Sequence, residues 1–330
     1  MKALFFLGPG KMELKEIEEP SSENGVIVKV IEAGICGTDI KTFLRGHHMF
    51  KPPTILGHEC YGVVVKKPSF VKKINIGDYV LVAPYGECGV CDKCRRGYPE
   101  LCEEKTFLTS GCFAQYIEIP PEHALRGIFK IENPATYMVL AEPLACVLGA
   151  LRKLPHIKNA LIIGGGIMGS LFAVQLRSKG IDVRVVEVSE WRLSFLKKMG
   201  FDVSTPDELE GERAFDTVIL ASTVEEPFRY LNLIQDGGSL MVFGGYPKDK
   251  RFLLDPFHIH YREVSIVGSF GYSLQDFAAA IEELKKEEHS YKKLVTHSYR
   301  IDDYEKAFET AINRECMKVS LRMWENGKET

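Results

Sequence analysis

The chain has 330 residues, of which 45% are hydrophobic and 26% charged, and its formal net charge is −3. This composition is typical of a soluble globular protein, and the length favours two domains. Long basic blocks are missing, and no apolar stretch reaches the ~18 residues of a membrane helix, so neither nucleic acid nor a membrane is an expected partner. The N-terminal apolar run, Ala3 to Leu7, is too short for a signal peptide, which predicts a cytoplasmic protein.

Residues 1–145 contain short strand-like runs separated by glycine, proline, asparagine and aspartate. The runs lie at 26–35, 61–65, 78–85 and 114–119. Short strands with turn residues between them are typical of an all-β domain. The sequence therefore predicts a barrel-like first domain.

Strands and helices alternate in residues 146–271, which is the pattern of βαβ units on a parallel sheet. The apolar runs are ALIIGGG (160–166), VRVVEV (183–188), DTVILAS (216–222), SLMVFGG (239–245) and VSIVGS (264–269), with a helix predicted near 190–199. The remaining segment, 272–330, contains two helical patterns, DFAAAIEELKKEE and YEKAFETAI. We expect an α/β domain at 146–271 and assign 272–330 to the first domain.

A glycine-rich turn follows the first strand of the α/β domain. Gly164, Gly166 and Gly169 have the G-x-G-x-x-G spacing, between a strand and a helix-forming stretch. Such a turn lets the backbone approach a pyrophosphate at the N-terminus of the helix. We therefore predict that these glycines, with Ile167 and Met168, bind a dinucleotide.

An acidic residue near the end of the next strand tests this interpretation. Glu187 lies about twenty residues after the turn, at the expected place for a carboxylate that accepts hydrogen bonds from the adenosine ribose. A carboxylate there repels a 2′-phosphate, so the sequence predicts NAD rather than NADP. The alternative is a turn that only packs, with Glu187 at a solvated strand end.

The most unusual stretch is GECGVCDKCRRGYPELC at 86–102. It contains Cys88, Cys91, Cys94 and Cys102, and in a reducing compartment such a cluster is more often a metal site than a set of disulfides. Four thiolates from one loop can bind Zn²⁺ tetrahedrally, with no position left for a substrate. We therefore predict a structural zinc site, and look elsewhere for the chemistry.

Three other stretches place side chains able to bind a metal beside glycine or proline. They are AGICGTD (33–39), GHE (57–59) and AEPLAC (141–146). Their metal-binding side chains are Cys36, His58, Glu59 and Glu142. Taken singly, each is equally compatible with an ordinary core residue, and spacing alone does not show that they converge.

Taken in order, these motifs make the chain resemble zinc-dependent medium-chain dehydrogenases of the alcohol, sorbitol and threonine dehydrogenase type. CGTD, GHE, the four-cysteine lobe, AEPLA, the GGGIMG turn and the Glu187 to Arg192 spacing occur in the family's order over nearly the full length. The resemblance implies a GroES-like β-barrel catalytic domain, formed by 1–145 and 272–330, and a Rossmann domain at 146–271.

The resemblance also implies a catalytic zinc ion in addition to the structural one. Cys36 and His58 match direct ligands, while Glu59 and Glu142 match positions where polyol dehydrogenases of the family use a glutamate. Which of the two glutamates is the direct third ligand stays open. A centre with fewer thiolates and more oxygen ligands favours a polyol, sugar acid or amino alcohol over a simple alcohol.

Other roles follow from the same resemblance. Asp39 matches the carboxylate that orients the zinc-binding histidine, Thr38 the hydroxyl that takes the substrate proton, and Arg192 a residue near the adenine. Lys41 departs from the family, which usually has histidine there at the end of the proton relay. His47 and His48 follow closely and are candidate substitutes, although the stretch RGHHMF (45–50) is more typical of a substrate entrance.

The predicted activity is hydride transfer between a secondary alcohol or its ketone and NAD, by a homodimer or homotetramer. A simple alcohol dehydrogenase or a ketone reductase on the same fold is the alternative. A zinc-ribbon nucleic-acid module disagrees with the net charge, and a zinc-free quinone reductase lacks the cysteine lobe. An inactive relative that only binds ligands is disfavoured because the whole ligand set is retained.

Overall fold

Two compact units make up the structure, a computed structural model that describes residues 1–155, 157–209 and 214–325. One unit consists of Met1–Ala145 and Ser273–Thr330, and the other of Cys146–Tyr272. Residues 326–330, which belong to the predicted 272–330 segment, lie outside the described residues.

Short strands dominate the N-terminal part of the chain, and strands alternate with helices further on. The strands are β1 (Lys2–Gly8), β2 (Lys11–Glu16), β3 (Val26–Gly34), β4 (Thr54–Ile55), β5 (Glu59–Lys66), β6 (Tyr79–Val82), β7 (Tyr85–Gly86), β8 (Thr106–Phe107), β9 (Tyr116–Ile119), β10 (Ile128–Ile131), β11 (Asn159–Ile163), β12 (Asp182–Val186), β13 (Asp202–Ser204), β14 (Phe215–Leu220), β15 (Ile234–Val242), β16 (Ser265–Gly268), β17 (Val295–Arg300) and β18 (Lys318–Arg322). The α-helices are α1 (Gly37–Arg45), α2 (Asp92–Arg95), α3 (Pro121–Ala124), α4 (Ala141–Leu151), α5 (Ile167–Ser178), α6 (Glu190–Lys198), α7 (Pro256–His260), α8 (Leu274–Lys286), α9 (Glu288–Leu294) and α10 (Tyr304–Asn313). Short 3-10 helices occupy Pro99–Leu101, Thr136–Leu140, Pro206–Glu208, Pro227–Leu233 and Ile301–Asp303.

The first unit is built around a seven-stranded sheet with the order β10-β6-β5-β3-β18-β17, in which β9 also pairs with β3. Its central strand β3 has the sequence VIVKVIEAG and is buried along most of its length, as expected for a strand inside a core. The late strand β18 pairs with β3 through Ser320 and Gly34. Residues from the end of the chain therefore lie beside residues from its beginning.

Helix α1 follows β3 directly and begins at the first predicted metal ligand. Cys36 is its N-cap residue, and the backbone N–H of Cys36 donates to Asp39 Oδ2 at 2.9 Å. This is the backward half of a capping box, in which an acidic side chain in the first turn satisfies the N-cap amide. The cap fixes Cys36 at the junction of strand and helix.

The second unit contains a six-stranded parallel sheet with the order β13-β12-β11-β14-β15-β16. Numbered within the unit, this is the doubly wound order 3-2-1-4-5-6, in which the strand order reverses beside the first strand. Ligands of such sheets bind at that reversal, outside the carboxyl ends of the strands. The strand order therefore directs attention to the turn after β11.

Strands β13 and β16 are the two edge strands of this sheet, whereas β15 lies inside it. The predicted strands SLMVFGG and VSIVGS thus differ in position, and only the second leaves one side unpaired. Among the described residues, no helix has the length and apolar character needed to cross a membrane.

Candidate metal centres and nucleotide-binding turn

Cys36, His58 and Glu59 come together in the first unit because β3 and β5 are neighbouring antiparallel strands. Cys36 follows β3, Glu59 is the first residue of β5, and Gly34 is paired with Glu59. One ligand atom from each of the three side chains lies within 4.8 Å of the other two. Tetrahedral zinc places such atoms roughly 3.3–3.8 Å apart, so a small inward movement would complete the geometry.

Asp39 contacts residues on both sides of this cluster. Besides the Cys36 amide, it accepts a hydrogen bond from the Gly57 backbone N–H at 3.2 Å, and its Oδ1 lies 3.6 Å from His58 Nδ1. The carboxyl group is 1% exposed. Asp39 therefore fixes the backbone on both sides of the site and directs one ring nitrogen of His58 toward itself.

Glu142 lies at the start of α4 and close to the cluster, but outside the group of ligand atoms within 4.8 Å. Burial raises the pKa of Glu142 to about 7, and the charges of His58, Glu59 and Lys318 also act on it. The structure therefore places both glutamates near the cluster, with Glu59 closer to the other ligand atoms.

The remaining candidates of the first unit lie along α1 and after it. Thr38 is half-buried two residues after Cys36, and its carbonyl oxygen accepts from Thr42 Oγ1 at 2.8 Å. Lys41 is exposed, and the rings of His47 and His48 lie 4.4 Å apart in the following loop. Burial, His48 and Lys41 together lower the pKa of His47, which favours the neutral form of this ring.

The four clustered cysteines also converge, with one sulfur from each within 4.8 Å of the others. Cys91 Sγ lies 3.6 Å from Cys94 Sγ and 3.8 Å from Cys102 Sγ, close to the spacing that a tetrahedral zinc–thiolate site requires. All nine cysteines are free thiols. This arrangement fits a four-thiolate metal site rather than a disulfide framework.

Backbone N–H groups point at the sulfurs of this lobe. Cys88 Sγ accepts from the amides of Val90 and Cys91 at 3.4 and 3.3 Å, and Cys102 Sγ accepts from the amides of Cys88 and Glu104 at 3.3 Å each. Such donors stabilise thiolates, which are the form that binds zinc. The loop is thus prepared for a charged, metal-binding cluster.

The glycine turn of the second unit has the backbone geometry of a phosphate-binding loop. Gly164 has φ +101°, which an L side chain rarely adopts, and a Cβ there would meet Ser222. Gly166 is the N-cap of α5, so Ile167 and Met168 form the first turn of that helix. Gly169 packs against the backbone of Gly164. The first-turn amides of α5 are suited to an anion.

Glu187 and Arg192 lie beside this turn. Glu187 follows β12 directly, and its Oε2 accepts from the Gly165 amide at 2.9 Å. Arg192 Nη1 lies 3.9 Å from the same oxygen. The predicted adenosine-side residues are therefore adjacent to the predicted phosphate-binding turn, within one unit.

Comparison with known proteins agrees with this geometry. Residues 22–130 match the model of the alcohol dehydrogenase GroES-like domain, and residues 168–286 match the model of zinc-binding dehydrogenases. D-altritol 5-dehydrogenase of Agrobacterium fabrum is 32% identical over 90% of this chain and 92% of its own length. This chain belongs to the zinc-type medium-chain dehydrogenases.

Two further relatives show how far the likeness extends. A sorbitol dehydrogenase of Halalkalibacterium halodurans is 30% identical to this dehydrogenase over 95% of the chain and 96% of its own length. The crystal structure of an alcohol dehydrogenase from Thermotoga maritima superimposes with a TM-score of 0.88 at 22% identity, covering 97% and 98% of the two chains. The predicted family, the GroES-like plus Rossmann fold class and the enzyme class, a zinc-containing dehydrogenase, are confirmed.

Lys318 is a residue of the dehydrogenase's first cluster that the sequence analysis missed. It is the first residue of β18, is 2% exposed, and donates to the Ile35 carbonyl oxygen at 3.2 Å. Its Nζ forms an ion pair with Glu59 Oε2. A Cβ on Gly34 would lie 3.0 Å from Lys318 Cε, so this glycine leaves room for the pair. The only sequence signal was a lysine at the start of an apolar strand.

The electrostatics of the dehydrogenase's first cluster fit a bound cation. Burial opposes protonation of His58, but Cys36 and Asp39 outweigh it, so its pKa is raised well above the ordinary value. Burial likewise opposes the charge of Lys318, yet Glu59 and Cys36 raise its pKa. Glu59 Oε1 is buried without a hydrogen-bond donor among the described residues. The Cys36 thiolate, the His58 imidazole and this buried carboxylate oxygen together form a set of ligands that suits Zn²⁺.

Lys105 is the second residue that the sequence analysis missed, and it serves the cysteine lobe. Burial lowers its pKa, while the charges of Cys102, Glu100 and Cys94 act in the opposite direction. Its Nζ donates to the Glu100 carbonyl oxygen at 2.7 Å and lies 4.5 Å from the centre of the Tyr85 ring. Lys105 thus places a positive charge beside the thiolates of the dehydrogenase's lobe.

Proposed function

We propose that this dehydrogenase transfers a hydride between a polyol, or a related polar secondary alcohol, and NAD. The observation that carries the proposal is the composition of the first cluster, in which Cys36 and His58 are joined by Glu59, with Glu142 nearby. Two of its relatives are described as dehydrogenases of altritol and sorbitol. An oxygen-rich centre is harder than one with two thiolates, which suits a substrate with several hydroxyl groups.

Each residue of the centre has a proposed task. A zinc ion held by Cys36, His58 and a glutamate would supply Lewis-acid activation of the substrate hydroxyl. Asp39 keeps His58 in the orientation and tautomer that a ligand needs. Thr38, two residues after Cys36, is assigned the task of taking the hydroxyl proton. Whether Lys41 or His47 then passes the proton to solvent is decided by substituting each residue separately.

Glu59 is our proposed direct ligand, through the oxygen that does not face Lys318. The ion pair with Lys318 uses Oε2 and leaves Oε1 without a donor. Glu142, whose pKa is raised by burial to about 7, is assigned a place beside the ion, in direct contact or through water. Glu59→Gln should therefore release zinc more readily than Glu142→Gln.

The choice of NAD over NADP is supported by the place of Glu187. Its carboxylate is next to the glycine turn, where a 2′-phosphate would bring a second negative charge close to it. Gly164, Gly166, Ile167, Met168 and Gly169 would hold the pyrophosphate, and Arg192 would lie near the adenine. A kcat/KM ratio that favours NADP would overturn this assignment.

Two structural roles complete the proposal. Residues 1–145 with 272–330 are assigned to catalysis, residues 146–271 to NAD binding, and the lobe at 86–102 to a structural zinc bound by Cys88, Cys91, Cys94 and Cys102. Thiolate ligands require a reducing compartment, which supports a cytoplasmic location.

A homodimer or homotetramer joined through β16 is the proposed assembly. Its unpaired side is a template for a strand from a second copy. Large exposed apolar side chains near β16 in the sequence are Leu253, Phe257, Ile259, Tyr261, Ile266 and Phe270.

The experiment that tests the proposed function is a substrate panel read by NADH absorbance. Polyols, aldonates, 2-amino alcohols and simple alcohols are offered with NAD or NADP, and the matching ketones with the reduced cofactors. We expect the highest kcat/KM with a polyol and NAD. Cys36→Ser and His58→Ala should abolish turnover while NAD binding, measured by calorimetry, is retained. Near-normal turnover in either variant would refute the catalytic role of this centre.

A further inference from the structure

We propose that Glu187 is also a positioning residue, whose carboxylate holds the glycine turn in the shape that receives a pyrophosphate. This role is additional to any contact with the adenosine ribose. The inference rests on the proposed binding of a dinucleotide at this turn. A substitution of Glu187 is therefore expected to weaken the binding of the pyrophosphate, and not only to alter the choice between NAD and NADP.

The first step of the argument is the bonding of the carboxylate itself. Oε1 accepts from the backbone amides of Val188 and Ser189 at 2.7 and 3.0 Å, and Oε2 accepts from the amide of Gly165 at 2.9 Å. The residue is 6% exposed. A carboxylate offers about four acceptor sites. Three of these acceptor sites are used by backbone amides, so about one is left for a ligand.

The second step is what these bonds connect. Gly164 donates its amide to the Val186 carbonyl oxygen at 2.8 Å, and Gly165 donates to Glu187. Two successive amides of the turn are therefore fastened to the end of β12. A Cβ on Gly165 would lie 3.1 Å from Glu187 Cβ, so the turn rests closely on the strand end. Without the carboxylate, the Gly165 amide loses its acceptor, and of these two bonds to the end of β12 only that of Gly164 is left.

The third step concerns Arg192. Its Nη1 lies 3.9 Å from Glu187 Oε2 and 3.3 Å from the position that a Cβ on Gly166 would occupy. The guanidinium group thus lies close to the turn, and the carboxylate of Glu187 attracts it. Glu187 therefore also helps to place a positive charge at the turn. Both effects favour a pyrophosphate and are independent of the ribose hydroxyl groups.

A pair of ligands separates the two roles. ADP carries a pyrophosphate and both ribose hydroxyl groups, whereas 2′,3′-dideoxy-ADP keeps the adenine and the pyrophosphate but lacks both hydroxyl groups. Glu187→Gln keeps the size of the side chain but must set an amide N–H₂ against at least one backbone N–H. The exposed Glu190→Gln, in the first turn of α6, is the matched control because it removes the same charge nearby.

The measurements are calorimetric affinities for both ligands and amide hydrogen exchange of residues 162–171 in the ligand-free protein. If Glu187 holds the turn, Glu187→Gln weakens the binding of ADP and dideoxy-ADP alike, by about tenfold or more, since a hydrogen bond to a charged group is lost. Exchange in 162–171 accelerates by a similar factor, and Glu190→Gln changes neither quantity.

The inference is overturned if the loss is confined to ADP and exchange in 162–171 is unchanged, because Glu187 would then contact only the ribose. Should Glu187→Gln fail to fold, Glu187→Asp is measured in the same way, since its shorter side chain keeps the charge but cannot reach all three amides. A wild-type protein that binds neither NAD nor ADP would contradict the proposed function instead. The exchange result on the ligand-free variant would still decide whether Glu187 holds the turn.

Discussion

Two buried charged residues, Glu59 and Lys318, form an ion pair within the first cluster of this dehydrogenase, the one that contains Cys36 and His58. Glu59 and Lys318 are almost fully buried, at 1% and 2% exposure, and each is the nearest compensation for the other. A buried pair contributes little net stability compared with apolar residues, but removal of one partner leaves an uncompensated charge in the core. The pair therefore makes the stability of the unit sensitive to either residue.

Lys318→Met is predicted to lower the unfolding free energy of the first unit by about 3 kcal/mol. Urea unfolding can be followed through Trp324 fluorescence after Trp191 has been replaced by phenylalanine, because these are the two tryptophans of the chain. The double variant Lys318→Met/Glu59→Gln should recover part of the loss, since the stranded charge is gone. Lys306→Met, at an exposed position, is the control. Equal losses in the single and double variants would contradict this account.

At the scale of elements, one histidine joins α3 to the end of β6 and to β8. His123 is fully buried on α3, with Nε2 2.6 Å from the Ala83 carbonyl oxygen and Nδ1 2.9 Å from Thr106 Oγ1. Ala83 follows β6 and Thr106 begins β8, so the ring connects three elements. Burial lowers the pKa of His123, which favours the neutral ring in the folded state.

The pH dependence of stability follows from this shift. Below the unfolded-state pKa of about 6.5, the unfolded chain binds a proton that folded His123 resists, so its contribution is complete above that pH and falls on acidification through the lower folded pKa. Wild type should therefore lose more unfolding free energy between pH 7.5 and 5.5 than His123→Gln. The difference between their urea midpoints at the two pH values measures it. Parallel losses would rule out His123 as the titrating group.

The cysteine lobe, residues 86–102, is the element to which a structural zinc ion is assigned. Cys91→Ser should lower the zinc content from about two ions per chain to about one, because a serine hydroxyl replaces a thiolate ligand. Metal analysis after dialysis checks the count, and the thermal midpoint should fall with it. Cys316→Ser, outside both clusters, should keep the wild-type zinc content. An unchanged zinc content in Cys91→Ser would exclude the lobe as a metal site.

At the scale of the whole molecule, the sequence predicted local motifs better than contacts between distant residues. The alternation of strands and helices and the glycine turn predicted the parallel sheet. The family motifs identified Cys36, His58 and Glu59 as candidate metal ligands. Helix α1 was not predicted, because its start is set by Asp39 reaching back to the Cys36 amide. Lys318 was missed because the pairing of β18 with β3 depends on tertiary structure, which local periodicity does not record.

Assembly is the prediction that belongs to this scale. Ile266→Arg, on the edge strand β16, should convert an oligomer into a monomer of 37.2 kDa, because a second copy could no longer cover that edge without burying a charge. Light scattering after gel filtration gives the mass. Ile76→Arg, at an exposed isoleucine of the first unit, is the matched control and should leave the mass unchanged. A wild-type protein that is already monomeric would refute the proposed assembly.

The pairing of β18 with β3 has a consequence for biosynthesis. The first unit is interrupted in sequence by Cys146–Tyr272, so a ribosome delivers the whole second unit before it delivers Lys318. The second unit, which is continuous, can complete its fold during translation, as domains generally do. The nascent first unit meanwhile carries Glu59 without its counter-charge. Completion of the cluster around Glu59 is thereby postponed until β18 has been synthesised.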